Sequence, residues 1–214
     1  RLTILFTGIG MTKLLVTLAL VSLICGAWGQ DNAQDQLVSV LQRIDYLQGR
    51  FSQRQYAEDG SLLAESAGHF RLLRPGYFGW QIETPDSQLI IADPHYLWHH
   101  DQDLETVTRR PVTASGELSP LQILGGDENL LRNRFEIEQL AGNRFSLVPD
   151  TGNPGFSRLV LILDGDTVVG MEIIDSLDQR IDITFENLDR TTALTPADFA
   201  FTVPDGVDLF YYDE

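Results

Sequence analysis

The chain has 214 residues, of which 43% are hydrophobic and 21% are charged, and this globular composition excludes wholesale disorder. Lys and Arg number 15 against 31 Asp and Glu, so the net charge is −16, which argues against nucleic acid or an anionic membrane surface as a partner. The one cysteine excludes an intramolecular disulfide framework and a cysteine-rich zinc site.

Residues 1–29 have the pattern of a signal peptide. Met11 is the expected initiator, and Lys13 supplies a positive charge ahead of an apolar run over 14–24. Small residues then follow, which predicts cleavage after Gly29.

Two other interpretations of this segment are an N-terminal membrane anchor and a lipoprotein signal at Cys25. The apolar run is short for a bilayer span, so stable membrane insertion is not expected. The bulky Ile24 directly before Cys25 argues against lipidation. We therefore expect an exported protein in which residues 30–214 form a single domain.

The exported chain begins with a helical pattern and continues with a strand pattern. Apolar residues from Leu37 to Leu47 share one helical face, which predicts an amphipathic helix over 33–48. After Gly49 the apolar residues alternate with polar ones, and turn residues separate short runs, which predicts about eleven antiparallel strands in sequential hairpins. The predicted strand segments are 50–58, 68–74, 77–83, 89–92, 96–100, 104–110, 134–140, 145–148, 158–163, 168–175, 180–187 and 199–203.

One segment interrupts the strands. Ser119 can cap a helix, Pro120 suits the first helical position and Gly125 can end it, so one or two short helices are predicted up to residue 131. These helices should lie on the sheet together with the first helix, because the segment is too apolar for an exposed loop. Its apolar residues are Leu121, Ile123, Leu124, Leu130 and Leu131.

Alternation along the predicted strands gives the sheet one apolar, aromatic-rich face and one polar face. Phe70 and Leu72 share a face, as do Phe78 and Trp80. A sheet of about eleven strands curls into a wide shape. This geometry is compatible with two alternatives, a core filled by side chains and a ligand cavity.

Arg74 continues the face of Phe70 and Leu72, so its charge should lie toward the apolar interior or its rim and needs partners there. Carbonyl groups at helix C-termini can supply them, in which case Arg74 ties the helical cover to the sheet. The alternative is a strand-end arginine whose guanidinium reaches water.

Motifs for catalysis and metal binding are missing from the sequence. It has no P-loop, no Gly-x-Ser-x-Gly and no His-Glu-x-x-His. His99 and His100 face opposite sides of a strand, and His69 and His95 have no acidic partner at metal-ligand spacing. We therefore predict no enzymatic activity, no metal site and no cofactor.

Several motifs together resemble the LolA family of periplasmic outer-membrane lipoprotein carriers. The central one spans 68–80, with Arg74-Pro75, Phe78 and Trp80, and is similar to the family's Gly-x-Phe-x-x-x-Arg-Pro-x-x-Phe-x-Trp core. The resemblance covers residues 35–210. Other matching segments are Phe51-Ser52-Gln53, Ile91-Ala92-Asp93, Leu97-Trp98, 101–108, Ser119-Pro120-Leu121, 175–179, Phe199-x-Phe201 and 204–208.

This resemblance implies an unclosed antiparallel β-barrel whose lid of short α-helices encloses a hydrophobic cavity for acyl chains. It implies a monomer in the periplasm that receives lipoproteins from the LolCDE transporter of the inner membrane and delivers them to LolB at the outer membrane. Arg74 would contact the lid, Phe78 would lie at the cavity rim and Trp80 would line the cavity. The full set of lipid-binding or lid residues expected is Phe70, Leu72, Arg74, Phe78, Trp80, Trp98, Leu121, Ile123 and Leu124.

Two other classes fit less well. A LolA-like carrier of another acylated lipid, or a domain that senses lipoproteins, would have nearly the same sequence. A periplasmic esterase would need a catalytic site, and the sequence has no nucleophile elbow.

Overall fold

The computed structural model describes residues 27–112, 123–125, 128–150 and 155–212. The first 26 residues of the predicted signal peptide, with Met11 and Cys25, lie outside the described residues. The same holds for the start of the predicted lid, including Leu121.

The described residues form one twelve-stranded sheet with two α-helices, α1 (Ala27–Gln42) and α2 (Glu128–Arg134). The strands are β1 (Tyr46–Tyr56), β2 (Leu62–Leu73), β3 (Tyr77–Thr84), β4 (Gln88–Ala92), β5 (Tyr96–Asp101), β6 (Thr106–Pro111), β7 (Phe135–Gln139), β8 (Arg144–Pro149), β9 (Phe156–Asp164), β10 (Thr167–Asp175), β11 (Arg180–Asp189) and β12 (Asp208–Tyr211).

The sheet is open. Its strand order is β12-β6-β5-β4-β3-β2-β1-β11-β10-β9-β8-β7, so β12 and β7 are the two edges. Neighbours pair antiparallel except β12, which pairs parallel with β6. The predicted fold, a mainly β, unclosed antiparallel sheet with short helices, is confirmed, with twelve strands rather than about eleven.

The first predicted helix was placed too far along the chain. α1 ends at Gln42, and Leu47 lies in β1, opposite Leu72 of β2. Leu47 fits the helical spacing of the preceding apolar residues, but it also alternates with Gly49 and Phe51 as a strand residue. Pairing of β1 with β2 and β11 satisfies the backbone of this segment, and that pairing decides between the two patterns.

The prediction of a strand over 199–203 was wrong. A short 3₁₀ helix, Pro196–Phe199, begins at Pro196 and includes Phe199. The chain after it forms no strand until β12. The sequence prediction missed β12. Asp208 of this strand pairs with Thr106, and Tyr211 pairs with Arg109.

The two faces of the sheet differ in what covers them. We call one face the inner face. There, Leu37 and Leu41 of α1, together with Ile44 just after it, pack into one buried core with side chains from both halves of the sheet. On the opposite, outer face, the segment from Pro196 to β12 crosses β3, β4 and β5. Phe199 of this segment is buried against the sheet, and Phe201 packs on β5.

Candidate functional site

Five aromatic side chains meet on the inner face and form the inner aromatic cluster, which consists of Phe51, Phe70, Phe78, Trp80 and Phe185. Trp80 stacks on Phe51 with ring centroids 3.6 Å apart, and the Phe70 and Phe185 centroids are 4.7 Å apart. Phe78 lies 6.0 Å from Trp80. All five side chains are buried. The cluster is therefore a large apolar surface held out of contact with water.

Strand register brings these rings together. Phe70 on β2 lies opposite Trp80 on β3, and Phe51 on β1 lies opposite Phe185 on β11. Gly49 lies opposite Phe70, and a Cβ at this glycine would come within 3.2 Å of the Phe70 ring and 2.8 Å of a backbone oxygen of β11. Because Gly49 has no side chain, the Phe70 ring can approach β1 this closely.

Arg74, directly after β2, connects the sheet to the segment above it. Its Nη2 donates a hydrogen bond to the carbonyl oxygen of Leu124 at 2.9 Å, and its backbone N–H donates to the backbone carbonyl oxygen of Asp45 at 2.8 Å. Burial lowers the pKa of Arg74, and the charge of Asp45 partly opposes that shift. Within the described chain, Nε of Arg74 is buried without a hydrogen-bond partner. The predicted contact between Arg74 and a carbonyl of the helical cover is present.

The covering segment contributes apolar side chains as well as the carbonyl group. Residues 123 and 124 are helical, Ile123 is fully buried and Leu124 is 3% exposed. Both belong to the same core as the inner aromatic cluster. α2 follows, and its Leu131 packs into this core too. Residues 123–125 and α1 thus close the inner face from above.

Six of the predicted site residues lie together on this face, in addition to Arg74 at its rim: Phe70, Leu72, Phe78, Trp80, Ile123 and Leu124. Sequence reasoning missed Phe51 and Phe185 as members of the cluster. The signal was present, because both continue the apolar alternation of their strands.

Trp98 does not join them, and its expected place among the lipid-facing residues needs correction. On β5 it lies opposite Ile91, and Ile91 lies opposite Gly79, so its side chain is on the outer face. There its ring centroid is 5.5 Å from that of Phe201 and 5.7 Å from the Arg109 guanidinium.

This outer cluster is centred on Arg109 of β6 and consists of Tyr96, Trp98, Arg109, Phe201 and Tyr211. The Arg109 guanidinium lies 4.4 Å from the ring centroids of both Tyr96 and Tyr211. Since Tyr211 belongs to β12, this stacking helps hold the last strand against the sheet.

The histidines lie apart from the inner cluster's rings. His99 and His100 lie on opposite faces, as predicted, with His100 packed on Phe201 of the outer face. Burial lowers the pKa of His99. In the described ranges, His, Cys, Asp and Glu side chains form no group of three that could hold a metal ion. None of the described helices is long and apolar enough to cross a membrane.

The geometry defines a class of protein, an open antiparallel sheet whose aromatic face is covered by helical segments. The family model for the outer membrane lipoprotein carrier protein LolA matches residues 42–202. The chain therefore belongs to the LolA family, a family of carriers rather than enzymes.

Sequence relatives agree with this assignment. An outer-membrane lipoprotein carrier protein of Pseudomonas aeruginosa is 34% identical over 204 residues, covering 92% of this chain and 98% of the relative. The Methylococcus capsulatus protein of that name is 34% identical over 202 residues, covering 90% and 96%. That of Alkalilimnicola ehrlichii is 35% identical over 163 residues, covering 76% of each chain.

Solved structures show the same fold at low sequence identity. An uncharacterized conserved protein from Thermus thermophilus has a TM-score of 0.51 and 14% identity, covering 83% of this chain and 98% of its own. A LolA superfamily protein from Nitrosomonas europaea has a TM-score of 0.50 and 11% identity, covering 79% and 98%. These structures support the architecture alone.

Proposed function

We propose that this protein carries lipoproteins across the periplasm, receiving them from the LolCDE transporter and delivering them to LolB. Family membership supports the carrier activity. The Lol partners and the periplasmic location follow from the family resemblance.

The hydrogen bond from Arg74 to the Leu124 carbonyl is the observation that carries the proposal. It joins the sheet to residues 123–125 directly beside the inner aromatic cluster. Acyl chains need an apolar surface of this kind, and in this structure the cover keeps it from water. Opening requires that residues 123–125 leave the sheet, and the Arg74 contact is then lost.

The energetics favour such a lid. Each methylene group kept from water is worth about 0.8 kcal/mol, so an acylated protein does not cross an aqueous space with its chains exposed. A site that bound the chains as tightly as possible would not release them. The cost of separating the cover from the sheet lowers the net affinity, which lets cargo pass to a tighter acceptor.

The Arg74→Leu variant tests the lid. The substitution removes the hydrogen bond to Leu124 and places an apolar side chain at a partly buried position. We therefore expect normal folding and impaired transfer of lipoprotein from the carrier to LolB. Arg54→Leu is the matched control, because Arg54 is an exposed arginine paired with Glu65 at 2.7 Å on the outer face. Hand-over by Arg74→Leu at the rate of the control would contradict the lid role.

Mass spectrometry of lipids bound to protein from the exported fraction tests the cargo. Triacylated lipoprotein is the expected result. A free phospholipid or glycolipid would identify a carrier of another acylated lipid, and turnover of acyl esters would identify an enzyme. Either result would overturn the proposed cargo.

We also propose that residues 1–29 are removed on export. α1 begins at Ala27, so cleavage after Gly29 would leave all but its first residues in the exported protein. N-terminal sequencing should start at Gln30, and an exported protein that retains the apolar run would contradict cleavage.

A further inference from the structure

A cavity opens on the outer face, where β11, β1, β2 and β3 lie side by side. Its volume is about 550 Å³. β1 bulges there between Gln48 and Arg50, and Asn187 of β11 has a positive φ of 52°. The cavity lies on the other side of the sheet from the inner aromatic cluster, so it is not part of the proposed cargo site. Its polar lining includes Gln48, Arg50, His69, Arg71, Gln81 and Asp189.

Arg71 gives this cavity a cation with unused hydrogen-bond donors. Its guanidinium lies 5.8 Å from the Phe199 ring, a cation–π contact that fixes the side chain. Gly79 lies opposite Arg71, and Arg71 Nε is 3.7 Å from the position a Cβ would take there, an ordinary contact distance, so the Arg71 side chain lies over β3. Within the described chain, no hydrogen bond or ion pair engages the Arg71 side chain.

Arg50 is a second cation at the same end. Its Nη1 donates to His69 Nε2 at 3.0 Å, and His69 Nδ1 donates to Glu83 at 2.9 Å. This arrangement fits a neutral imidazole that carries its proton on Nδ1. Arg50 Nη2 is 3.7 Å from Glu83, a long ion pair. His69 and Glu83 thus orient Arg50 beside the cavity and leave several of its donors for a ligand.

Asp189 gives the cavity an anion at the opposite end. Its Oδ1 accepts hydrogen bonds from the backbone N–H groups of Thr191 and Thr192 at 2.7 and 3.0 Å. Hydrogen bonds from Thr192 and Thr191 hold the pKa of Asp189 well below its usual range, so the group is ionised. Its Oδ2 has only a long contact of 3.4 Å with Gln48 Nε2 and is available to a second partner.

The two ends lie within reach of one small molecule. Asp189 pairs with Gln48, and Gln48 pairs with Arg71, so the anion and the cation are two strands apart, about 10 Å between backbones. Long side chains from both ends narrow that gap. Cavities of about 300–1,000 Å³ are the usual size for small-molecule sites.

We propose that this cavity binds a small neutral zwitterion that carries a phosphodiester anion and an ammonium group, of the glycerophosphoethanolamine type. The oxyanion would contact Arg71 and Arg50, and the ammonium group would contact Asp189. A free anion is repelled by a protein of net charge −16, whereas a neutral zwitterion is not. The proposal is independent of the lipoprotein cargo.

Calorimetric titration of the full chain with glycerophosphoethanolamine tests the proposal, with dimethyl phosphate and ethanolamine as probes that each carry one of its two charges. We expect glycerophosphoethanolamine to bind at least tenfold more tightly than either. Arg71→Gln and Asp189→Asn should each weaken binding at least tenfold. The asparagine can still accept the hydrogen bonds from Thr191 and Thr192, and Arg71→Lys serves as a second variant that keeps the charge but loses the planar donor fork.

Arg54→Gln is the matched control, because Arg54 is on the same face of β1 as Arg50 but is paired with Glu65 outside the cavity. It should bind the zwitterion as the unmodified protein does. Equal binding of dimethyl phosphate, unchanged binding by Arg71→Gln and Arg71→Lys, or an equal loss in Arg54→Gln would overturn the proposal.

Vesicles distinguish two sources of the same chemistry. If vesicles of phosphatidylethanolamine and phosphatidylcholine retain the protein in an Arg71-dependent manner, the ligand is a lipid headgroup. If only the soluble compound binds, the ligand is a free metabolite of that class. Absence of binding in both formats would overturn the proposal.

Discussion

The inner and outer aromatic clusters lie on opposite faces of one sheet, on different strands, and they are closed in different ways. Trp80 is 3% exposed on the inner face, and α1 and residues 123–124, which cover this face, are helical and take no part in the strand ladder. Trp98 is half-buried beneath a segment that ends in β12, and β12 is hydrogen-bonded to β6. The inner cover can therefore move without breaking the sheet, whereas the outer cover cannot.

The largest effect should come from removing the two tryptophans one at a time. We expect Trp80→Ala to lower the free energy of unfolding by about 3–5 kcal/mol, because a buried ring stacked on Phe51 leaves a cavity. Trp98→Ala should cost about 1–2 kcal/mol, since its ring is partly solvated. Chemical denaturation monitored by circular dichroism measures both. Equal losses would contradict the distinction between the clusters.

Two glycines, each beside an aromatic ring, offer a second comparison. In Gly49→Ala the new Cβ would meet a backbone oxygen at 2.8 Å and the Phe70 ring at 3.2 Å, so we expect a loss of about 1–3 kcal/mol. In Gly79→Ala it would meet Phe199 at 3.9 Å, an ordinary contact, so we expect a change within about 0.5 kcal/mol. Thermal unfolding of both variants measures the two stability losses. A larger loss at Gly79 would show that the outer face is the tighter one.

A third test loosens the outer cover alone. Lys in place of Arg109 cannot stack as a plane between Tyr96 and Tyr211, and each such stack is worth about 0.5–1 kcal/mol. We expect about two- to fivefold faster amide hydrogen exchange in β12, with no change in β10, the internal control. Unchanged exchange in β12 would show that pairing with β6 suffices to hold it.

The smallest effect is expected on the polar part of the outer face. Burial raises the pKa of Asp182, and the charge of Arg180 opposes that shift. The ionised carboxylate is therefore disfavoured in the folded state, and its cost is present at neutral pH and disappears as pH falls below the unfolded pKa of about 4. Asp182→Asn should raise Tm by about 1 °C at pH 7, and the difference should close in acid. A lower Tm at pH 7 would contradict the sign.

Local pattern sufficed for most of the fold. Alternating apolar residues separated by turn residues gave eleven of the strands, because one face of each strand is buried in the core. The segment with Leu121, Ile123 and Leu124 was too apolar for an exposed loop, which predicted a cover on that face, and the described residues Ile123 and Leu124 are buried there. Local pattern failed at Leu47, which suits a helix and a strand equally well.

The sequence also predicted what kind of group Arg74 would contact. An arginine on an apolar strand face needs an acceptor, and helix ends are where free carbonyls occur. The sequence thus predicted the kind of partner, and the structure identifies it as Leu124. Which carbonyl it is depends on how the chain returns to the sheet after β6.

By itself the sequence determined the strands, the apolar face with Phe70, Phe78 and Trp80, and the need of Arg74 for a partner, because these depend on side-chain alternation and on the cost of burying a charge. Only the tertiary structure decided which face of the sheet Trp98 lies on and which strand β12 pairs with. Residues 97 and 98 are both apolar, so the alternation along β5 does not show which of them lies on the inner face. The segment from Pro196 to β12 covers the outer face, so apolar side chains are buried there too. The parallel pairing of β12 with β6 joins residues about a hundred positions apart, and no local pattern encodes it.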